Sequence, residues 1–198
     1  MTSKPVAVKR PSASTVPVAK PQCKIHASAI VSDKAQITGS HLVEIGENVI
    51  VHPHARIRAE YGNVLIGKGS TIAEKAIVGP DEGGDGADVV LGEGVSVETG
   101  AVIEAKKIGD YSTIEVNGQI GPGALIGKWC KVAVLCKVGN AEVLDDFTVV
   151  FGEGQRGRRM DLVLRDKKAV RDAKLKGKAM ELELLKTLIP NGKVKWTG

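Results

Sequence analysis

The chain has 198 residues, a length that suits one domain with tails, and its 28 basic and 23 acidic residues give a net charge of +5. Three cysteines, no signal-peptide pattern and no apolar run of about 18 residues argue against a disulfide scaffold or a membrane span. They favour a soluble protein of a reducing compartment. The charge is segregated, because residues 25–155 carry 10 basic and 18 acidic residues whereas residues 156–198 carry 13 and 5. This complementarity within one chain argues against nucleic acid as the reason for the basic excess.

Residues 1–24 form a leader with five basic and no acidic residues. Its prolines, Pro5, Pro11, Pro17 and Pro21, stand among Ser, Thr, Lys and Ala, a composition that predicts disorder. The lack of acidic residues also resembles a mitochondrial transit peptide, but regular prolines oppose the amphipathic helix that such a peptide needs. We therefore predict a disordered leader and keep mitochondrial import as the alternative.

A six-residue repeat runs through residues 25–155. We count 20 frames that open with Ile, Leu or Val, and in 15 of them a small residue or Val stands at the fifth position, as in Ile120-Gly-Pro-Gly-Ala124. Hexapeptide periodicity is typical of a parallel β-helix. Each frame gives one short strand on one side of a triangular prism, with the first and fifth residues pointing inward. The sequence predicts a left-handed parallel β-helix of about seven coils.

An insertion at residues 80–90 interrupts the repeat. Its Gly- and Asp-rich sequence cannot continue a strand and predicts a loop at one corner of the prism. The loop lacks the Asp-x-Asp spacing and the closing Glu of a calcium site, so we interpret it as a solvated acidic loop. Further along, Cys130 and Cys136 occupy successive inward positions, where we expect core packing rather than a redox pair.

Residues 156–198 lose the six-residue repeat and are predicted to form a basic turn, a helix and a tail. Apolar residues recur at three- and four-residue spacing up to Pro190, which ends the helix. We expect this helix to dock on a flat face of the prism, with the recruitment of a partner helix as the alternative. The residues expected to dock are Leu182, Leu185, Leu188 and Ile189.

Both tryptophans are candidates for exposed partner-binding residues. Trp129 falls on an outward position of the repeat, where the helix could also cover it, and Trp196 lies in the C-terminal tail. Neither position fixes which face would meet which partner.

The residues that usually carry catalysis do not converge. The four histidines, His26, His41, His52 and His54, all fall in the first two coils, so no later coil supplies a histidine as a general base. No Ser/His/Asp set, phosphate-binding loop or Cys-x-x-Cys motif is evident. We predict no catalytic residue.

Residues 51–58, Val-His-Pro-His-Ala-Arg-Ile-Arg, resemble the γ-class carbonic anhydrases, and Arg58 matches the arginine of that family's Ile-Arg-Gly-Asp segment. Those enzymes need three histidines from neighbouring coils to hold zinc or iron. The resemblance places the three ligand positions on Gly79, Asp110 and Glu115. Because glycine has no ligating side chain, we predict neither a metal site nor a cofactor.

Three stretches together resemble the dynactin subunit 6 family, small β-helix subunits of the dynactin pointed-end complex. The first is residues 52–62, His-Pro-His-Ala-Arg-Ile-Arg-Ala-Glu-Tyr-Gly, and the second is the basic turn at residues 150–159. The most specific is residues 182–191, where a leucine-rich helix closes in Ile-Pro-Asn. The resemblance covers roughly residues 23–196.

The resemblance implies a non-enzymatic structural or adaptor subunit that supports dynein-driven cargo transport along microtubules. Implied partners are a second β-helix dynactin subunit, the actin-related protein at the filament's pointed end and other pointed-end subunits, with cargo adaptors possible but neither nucleic acid nor membrane insertion. The implied location is the cytoplasm, in association with the cytoskeleton. The leader is expected to cover the Ile25 end of the prism, and the basic turn and helix the Val150 end. The alternative is an enzyme, either γ-carbonic-anhydrase-like or a hexapeptide acyltransferase.

Overall fold

A computed structural model describes residues 21–83, 87–152 and 157–196 of the chain. Residues 1–20 of the leader, which the sequence predicted to be disordered, lie outside this part of the chain. The prediction is wrong for residues 22–24, because they belong to the first strand and pair with the next coil. The strands, in chain order, are β1 (Gln22–Ile25), β2 (Ile30–Val31), β3 (Gln36–Gly39), β4 (Leu42–Ile45), β5 (Ile50–Val51), β6 (Arg56–Ala59), β7 (Val64–Ile66), β8 (Thr71–Ile72), β9 (Ile77–Val78), β10 (Val89–Leu91), β11 (Ser96–Val97), β12 (Val102–Ile103), β13 (Lys107–Ile108), β14 (Thr113–Ile114), β15 (Gln119–Ile120), β16 (Leu125–Ile126), β17 (Lys131–Val132), β18 (Lys137–Val138), β19 (Val143–Leu144), β20 (Thr148–Phe151) and β21 (Gly157–Met160). The helices are α1 (Leu162–Asp166), α2 (Lys168–Leu188) and a 3₁₀ turn at Lys193–Lys195.

Every third strand up to β20 joins the same parallel sheet, so the chain winds around a three-sided prism. The first sheet runs from β1 to β19, the second from β2 to β20 and the third from β3 to β18. The described strands therefore give six complete coils and two sides of a seventh. This confirms the predicted left-handed parallel β-helix with a C-terminal helix.

The inward positions of the repeat form one continuous core. In β3 and β6 exposed or half-buried residues alternate with buried ones, because successive side chains of a strand point to opposite faces. Ile57, Ile72, Ile103 and Ile114 are fully buried in this core, and Ala124 fills one of its inward corners with no exposed surface. Each coil therefore buries its apolar side chains mainly against its two neighbours, which is the packing expected of a repeat protein.

The C-terminal segment, defined here as residues 157–196, doubles back along the prism. It starts with β21, which pairs antiparallel with β20, and α2 then runs along the second sheet towards the first coil. Asn191 forms an antiparallel bridge with Ser32 next to β2. The segment thus touches both ends of the prism.

The Ile25 end of the prism is covered by this segment in the described residues; the leader, which the sequence predicted to cover this end, lies almost entirely outside them. Trp196 packs against the core cluster, as do Cys23 and Ile25 of the first coil. The backbone N–H of Gly192 donates to the carbonyl of Val31 at 2.8 Å. At the Val150 end, the basic strand β21 lies beside β20, in agreement with the sequence prediction.

No helix of the described residues is long and apolar enough to cross a membrane.

Candidate partner-binding surfaces

The three positions that the resemblance to γ-class carbonic anhydrases assigns to metal ligands lie at different corners of the prism. Gly79 follows β9 of the third sheet, Asp110 follows β13 of the first and Glu115 follows β14 of the second. Gly79 has φ = 117°, and a Cβ there would lie 2.0 Å from the carbonyl oxygen of Arg58. A histidine therefore cannot occupy this position without a backbone shift.

The two acidic residues at these positions are engaged in ion pairs. Asp110 lies 2.9 Å from the ammonium of Lys128, and Glu115 lies 2.7 Å from that of Lys131. Burial opposes ionisation of Asp110, but Lys128 and the N–H of Glu93 together hold the pKa of its carboxyl below the ordinary value. The donor set at these three positions does not fit a catalytic metal ion. The described residues contain no other group of three or more His, Cys, Asp or Glu side chains placed to hold one.

Arg58, which the sequence resemblance aligned with the arginine of the γ-class carbonic anhydrases, stabilises the start of the inserted loop. Its guanidinium donates to the carbonyl of Gly79 at 3.0 and 3.2 Å and pairs with Asp81. At the other end of the loop, Asp88 accepts the N–H of Asn63 at 2.7 Å. These described loop carboxylates therefore bind the protein itself; residues 84–86 lie outside the described part.

The inner face of α2 docks on the second sheet through a small apolar cluster. Leu182 and Ile189 are buried against Ile30 and Ile50, and Leu185 is half-buried beside them. Leu188, which the sequence also assigned to docking, is 65% exposed and lies on the outer side of the helix. That part of the prediction is wrong, because Leu188, the last residue of α2, lies about 120° around the helix from Leu182, which faces the sheet.

The sequence analysis did not predict the two sheet residues of this cluster, Ile30 and Ile50. Ile30 and Ile50 precede the inward residues Val31 and Val51, so they point out of the prism, yet both are buried. The signal was available in the sequence, because an outward position of the repeat does not need an aliphatic residue. The same outward row continues as Thr71 in the next coil, where the helix contact becomes polar.

A second anchor of α2 is Lys178. Its ammonium donates to the hydroxyls of Thr71 and Ser96, each at 2.7 Å, and lies 3.6 Å from Glu181. Burial lowers the pKa of Lys178 and raises that of the neighbouring Glu98. The two shortest contacts of the ammonium are thus to neutral hydroxyl oxygens, with Glu181 further away.

His52 is the third ionisable group under the helix. Burial lowers the pKa of its imidazole, which faces the charged residues Glu181, Glu74 and Lys178. Protonation of His52 therefore opposes the docked arrangement.

Trp129 and Trp196 are both half-buried, so neither has the open exposure that the sequence suggested. Trp129 stacks on Tyr111 with ring centroids 4.7 Å apart and lines a cleft of about 180 Å³ beside α2. The indole N–H of Trp196 is buried and has no hydrogen-bond partner among the described residues. Lys195 lies over the same ring, 4.5 Å from its centroid.

Two groups of exposed apolar residues among those outside these contacts lie on regular secondary structure. The outer face of α2 presents Met180, Leu184 and Leu188, and the outward row of the first sheet ends in Leu125 and Val143. Both surfaces are apolar and formed by regular secondary structure.

Comparison with known proteins supports one family. No family model matches the chain. Dynactin subunit 6 of Danio rerio is 34% identical over 138 residues, which is 65% of this chain and 70% of that protein. Dynactin subunit 6 of Xenopus tropicalis is 29% identical over 176 residues, 85% of this chain and 81% of that protein. The chain belongs to the dynactin subunit 6 family.

More distant matches share the fold. Carnitine operon protein CaiE of Escherichia coli (strain K12) is 29% identical over 111 residues, 56% of this chain and 54% of that protein. A solved hexapeptide transferase family protein from Anaplasma phagocytophilum superimposes with a TM-score of 0.67 over 83% of this chain and 90% of that one. Its sequence identity is 15%, so this match shows the β-helix alone.

Proposed function

We propose that the chain is a non-enzymatic structural or adaptor subunit of the dynactin pointed-end complex and supports dynein-driven cargo transport along microtubules. The observation that carries this proposal is membership of the dynactin subunit 6 family, with a match that extends over most of both chains. The same proposal places the protein in the cytoplasm, associated with the cytoskeleton.

The state of the metal-ligand positions supports a role without catalysis. Gly79 offers no ligating atom, and the ion pairs of Asp110 with Lys128 and of Glu115 with Lys131 occupy the two carboxylates. The four histidines stay within the first two coils, so acyl transfer through a histidine base in a later coil has no candidate residue.

The architecture suits a docking role. The three flat sheets are fixed by a continuous core, and the C-terminal segment covers part of the second sheet and reaches both ends of the prism. A surface that does not reorganise loses little conformational entropy when a partner binds. The proposed partners are a second β-helix dynactin subunit, the actin-related protein at the pointed end and other pointed-end subunits.

The roles of the two tryptophans follow from this proposal. Trp129 lines an open cleft beside α2 and is a candidate contact for a partner side chain. Trp196 caps the first coil, so a partner that binds this end would contact the tail around it rather than the ring face packed on the core.

Affinity purification of the tagged chain, expressed near its natural level, tests the proposal. We expect recovery in a megadalton assembly that contains an actin-related protein and a second β-helix subunit. A tagged Ala124→Glu variant, in which the fold is disrupted, serves as the control and is expected to lose these partners. Elution as a homotrimer with bound zinc, iron or acyl-CoA would support the enzyme alternative instead.

A further inference from the structure

The first sheet presents an outward row that is mainly apolar from its third strand onwards. Leu65 and Val90 are half-buried in this row, Leu125 is 39% and Val143 65% exposed, and Lys107 is the single charge between them. The C-terminal helix docks on the second sheet and leaves the far end of this row exposed. An apolar row on a flat sheet usually marks a contact surface.

The corner between the first and second sheets carries an aromatic column, defined here as Tyr111, Trp129 and Phe147. The backbone N–H of each donates to a carbonyl of the coil below at 2.7 or 2.8 Å, so the three residues stand at the same position of consecutive coils. Each is half-buried and has a left-handed φ of 57–63°, which bulky side chains rarely adopt. The earlier coils have residues there that tolerate this conformation better: Asn48, Gly69 and Gly94. Strained positions of this kind cluster at functional sites.

Two exposed carboxylates stand at the far end of the aromatic column. Asp145 and Asp146 precede Phe147, and neither has an ion-pair partner among the described residues, although Asp146 accepts the backbone N–H of Lys128 at 2.7 Å. The ammonium of Lys128 is engaged with Asp110. The Phe147 end of the column is therefore negatively charged.

The helix side of the column has the opposite charge. The cleft beside Trp129 is lined on the α2 side by Lys174, Lys178 and Glu181. Together with Lys107 of the apolar row, these lysines oppose a basic ligand in the middle of the face. A segment that fits this surface is uncharged in its middle and basic at the end that reaches the two aspartates.

The leader has this order of charges. Lys9 and Arg10 are followed by the nine uncharged residues 11–19 and then by Lys20, and no acidic residue is present. The two prolines of the uncharged stretch favour the extended polyproline II conformation, which docks on surfaces lined by aromatic side chains.

We infer that residues 9–20 dock across the first sheet in an extended form. The uncharged stretch lies on the apolar row and the aromatic column, and the basic pair lies at Asp145 and Asp146. Because the segment is tethered to β1, its effective concentration at this face is on the order of millimolar, which favours it over a separate molecule as the occupant. The first coil is already capped by Trp196, so its end does not compete for the same segment.

The lengths agree with this placement. Residue 21 lies beside β1 at one corner of the first sheet, and Asp145 lies at the opposite corner, six coils further along the prism. Six coils rise by about 29 Å and the sheet is about 16 Å wide, so the diagonal is about 33 Å. The chain from residue 21 to Arg10 spans about 34 Å as polyproline II. Trp129 is one coil nearer, within reach of Pro11.

Photo-crosslinking in the purified full-length chain tests this placement. A benzophenone side chain replaces either Leu125, on the first sheet, or Lys137, the exposed outward residue of the third sheet in the same coil. We expect the probe at position 125 to attach to residues 9–20 of its own chain, identified by mass spectrometry of the monomer band. The probe at position 137 is the matched control and should attach to none of them.

A charge exchange tests the contact at the far end. Arg10→Glu and Asp145→Arg should each lower the cross-link yield from position 125 at least about twofold, because each places like charges together. The double variant should recover the yield, since opposite charges face each other again. Lys4→Glu is the control, because residue 4 lies beyond the contact. Circular dichroism verifies that each variant keeps its fold.

Several outcomes would overturn the inference. One is a probe at position 125 that attaches to no leader residue, or does so no more than the probe at position 137. Another is a leader cross-link found only in a dimer band, which would assign the face to a second copy. A probe that reacts only after cell extract is added would assign it to a partner protein, and a double variant that cross-links no better than the single ones would exclude the charge contact. The first tests use the isolated chain, so their outcome does not depend on the proposed role in dynactin.

Discussion

The β-helix and the C-terminal segment are built from different kinds of contact. In the β-helix, most inward side chains are buried between neighbouring coils, so stability is spread over many equivalent interfaces. The C-terminal segment buries few large side chains, chiefly Leu164, Leu182 and Ile189, and relies on the polar anchor at Lys178 and the cap around Trp196. Damage to the first region should therefore affect the whole fold, whereas damage to the second should release a segment.

The largest expected effect is a charge placed inside the β-helix. Ala124→Glu would bury a carboxylate at a corner with no exposed surface, at a cost on the order of several kcal/mol, and we expect unfolding or insolubility. Leu125→Glu, one residue further, points outward beside Lys107 and should leave the thermal midpoint nearly unchanged. Equal behaviour of the two variants would show that the assigned register is wrong.

A smaller effect is expected from truncation under α2. Leu182→Ala removes a buried side chain packed on Ile30 and Ile50, and should lower the free energy of unfolding of the segment by roughly 2 kcal/mol. Hydrogen exchange should then speed up in α2 while β12 to β15 stay protected. Leu188→Ala is the control and should have little effect on a monomer, since that side chain is 65% exposed.

Two glycines in the C-terminal segment should respond in opposite directions. A Cβ at Gly192 would lie 2.5 Å from the Cα of Asp33, so Gly192→Ala should displace the tail and destabilise its cap by about 1–3 kcal/mol. Gly177→Ala meets open space in a helix and should stabilise α2 by about 0.5–1 kcal/mol. Urea unfolding at low protein concentration measures both, and the same sign for both variants would contradict the described contacts.

The smallest expected effect is a dependence of helix docking on pH. The pKa of His52 is lower in the folded chain than its ordinary value of 6.5, so the unfolded chain takes up this proton first as the pH falls. The contribution of His52 to the free energy of unfolding is therefore fully present above pH 6.5 and decreases as the pH drops through 6.5 towards the folded pKa. His52→Gln should remove this decline, seen as a smaller loss of the urea midpoint between about pH 7.5 and 5.5.

Glu98 acts with the opposite sign and in a lower pH window. Because burial raises its pKa, the folded chain takes up a proton first, and stability rises as the pH falls through the folded pKa towards 4.5. Glu98→Gln should therefore flatten the acidic part of the profile without affecting the decline that starts near neutrality. An unchanged profile in both variants would show that neither group is buried by α2.

The β-helix could be predicted from sequence because its information is local. Each frame, such as the one from Ile120 to Ala124, specifies its own strand and corner, and stacking then follows from repetition. The loss of the ligand at Gly79 was equally readable, since no arrangement of neighbours can give glycine a ligating side chain.

The faces of α2 could be predicted only in part. The run around Leu182 is apolar on more than one side, so its spacing did not distinguish Leu188, which is exposed, from Ile189, which is buried. The deciding residues, Ile30 and Ile50, are more than 100 positions away in sequence and meet the helix only because the prism stacks them in one row.

The sequence by itself determined the repeat, the absence of the histidine ligand set and the presence of a C-terminal helix, because each depends on residues close together in the chain. Only the tertiary structure decided that the tail caps the first coil, that Lys178 binds Thr71 and Ser96, and which side of α2 faces outward. These features join the C-terminal segment to residues far earlier in the chain. Such contacts form between residues that the intervening coils bring close together in space, and a short-range sequence pattern carries no information about that distance.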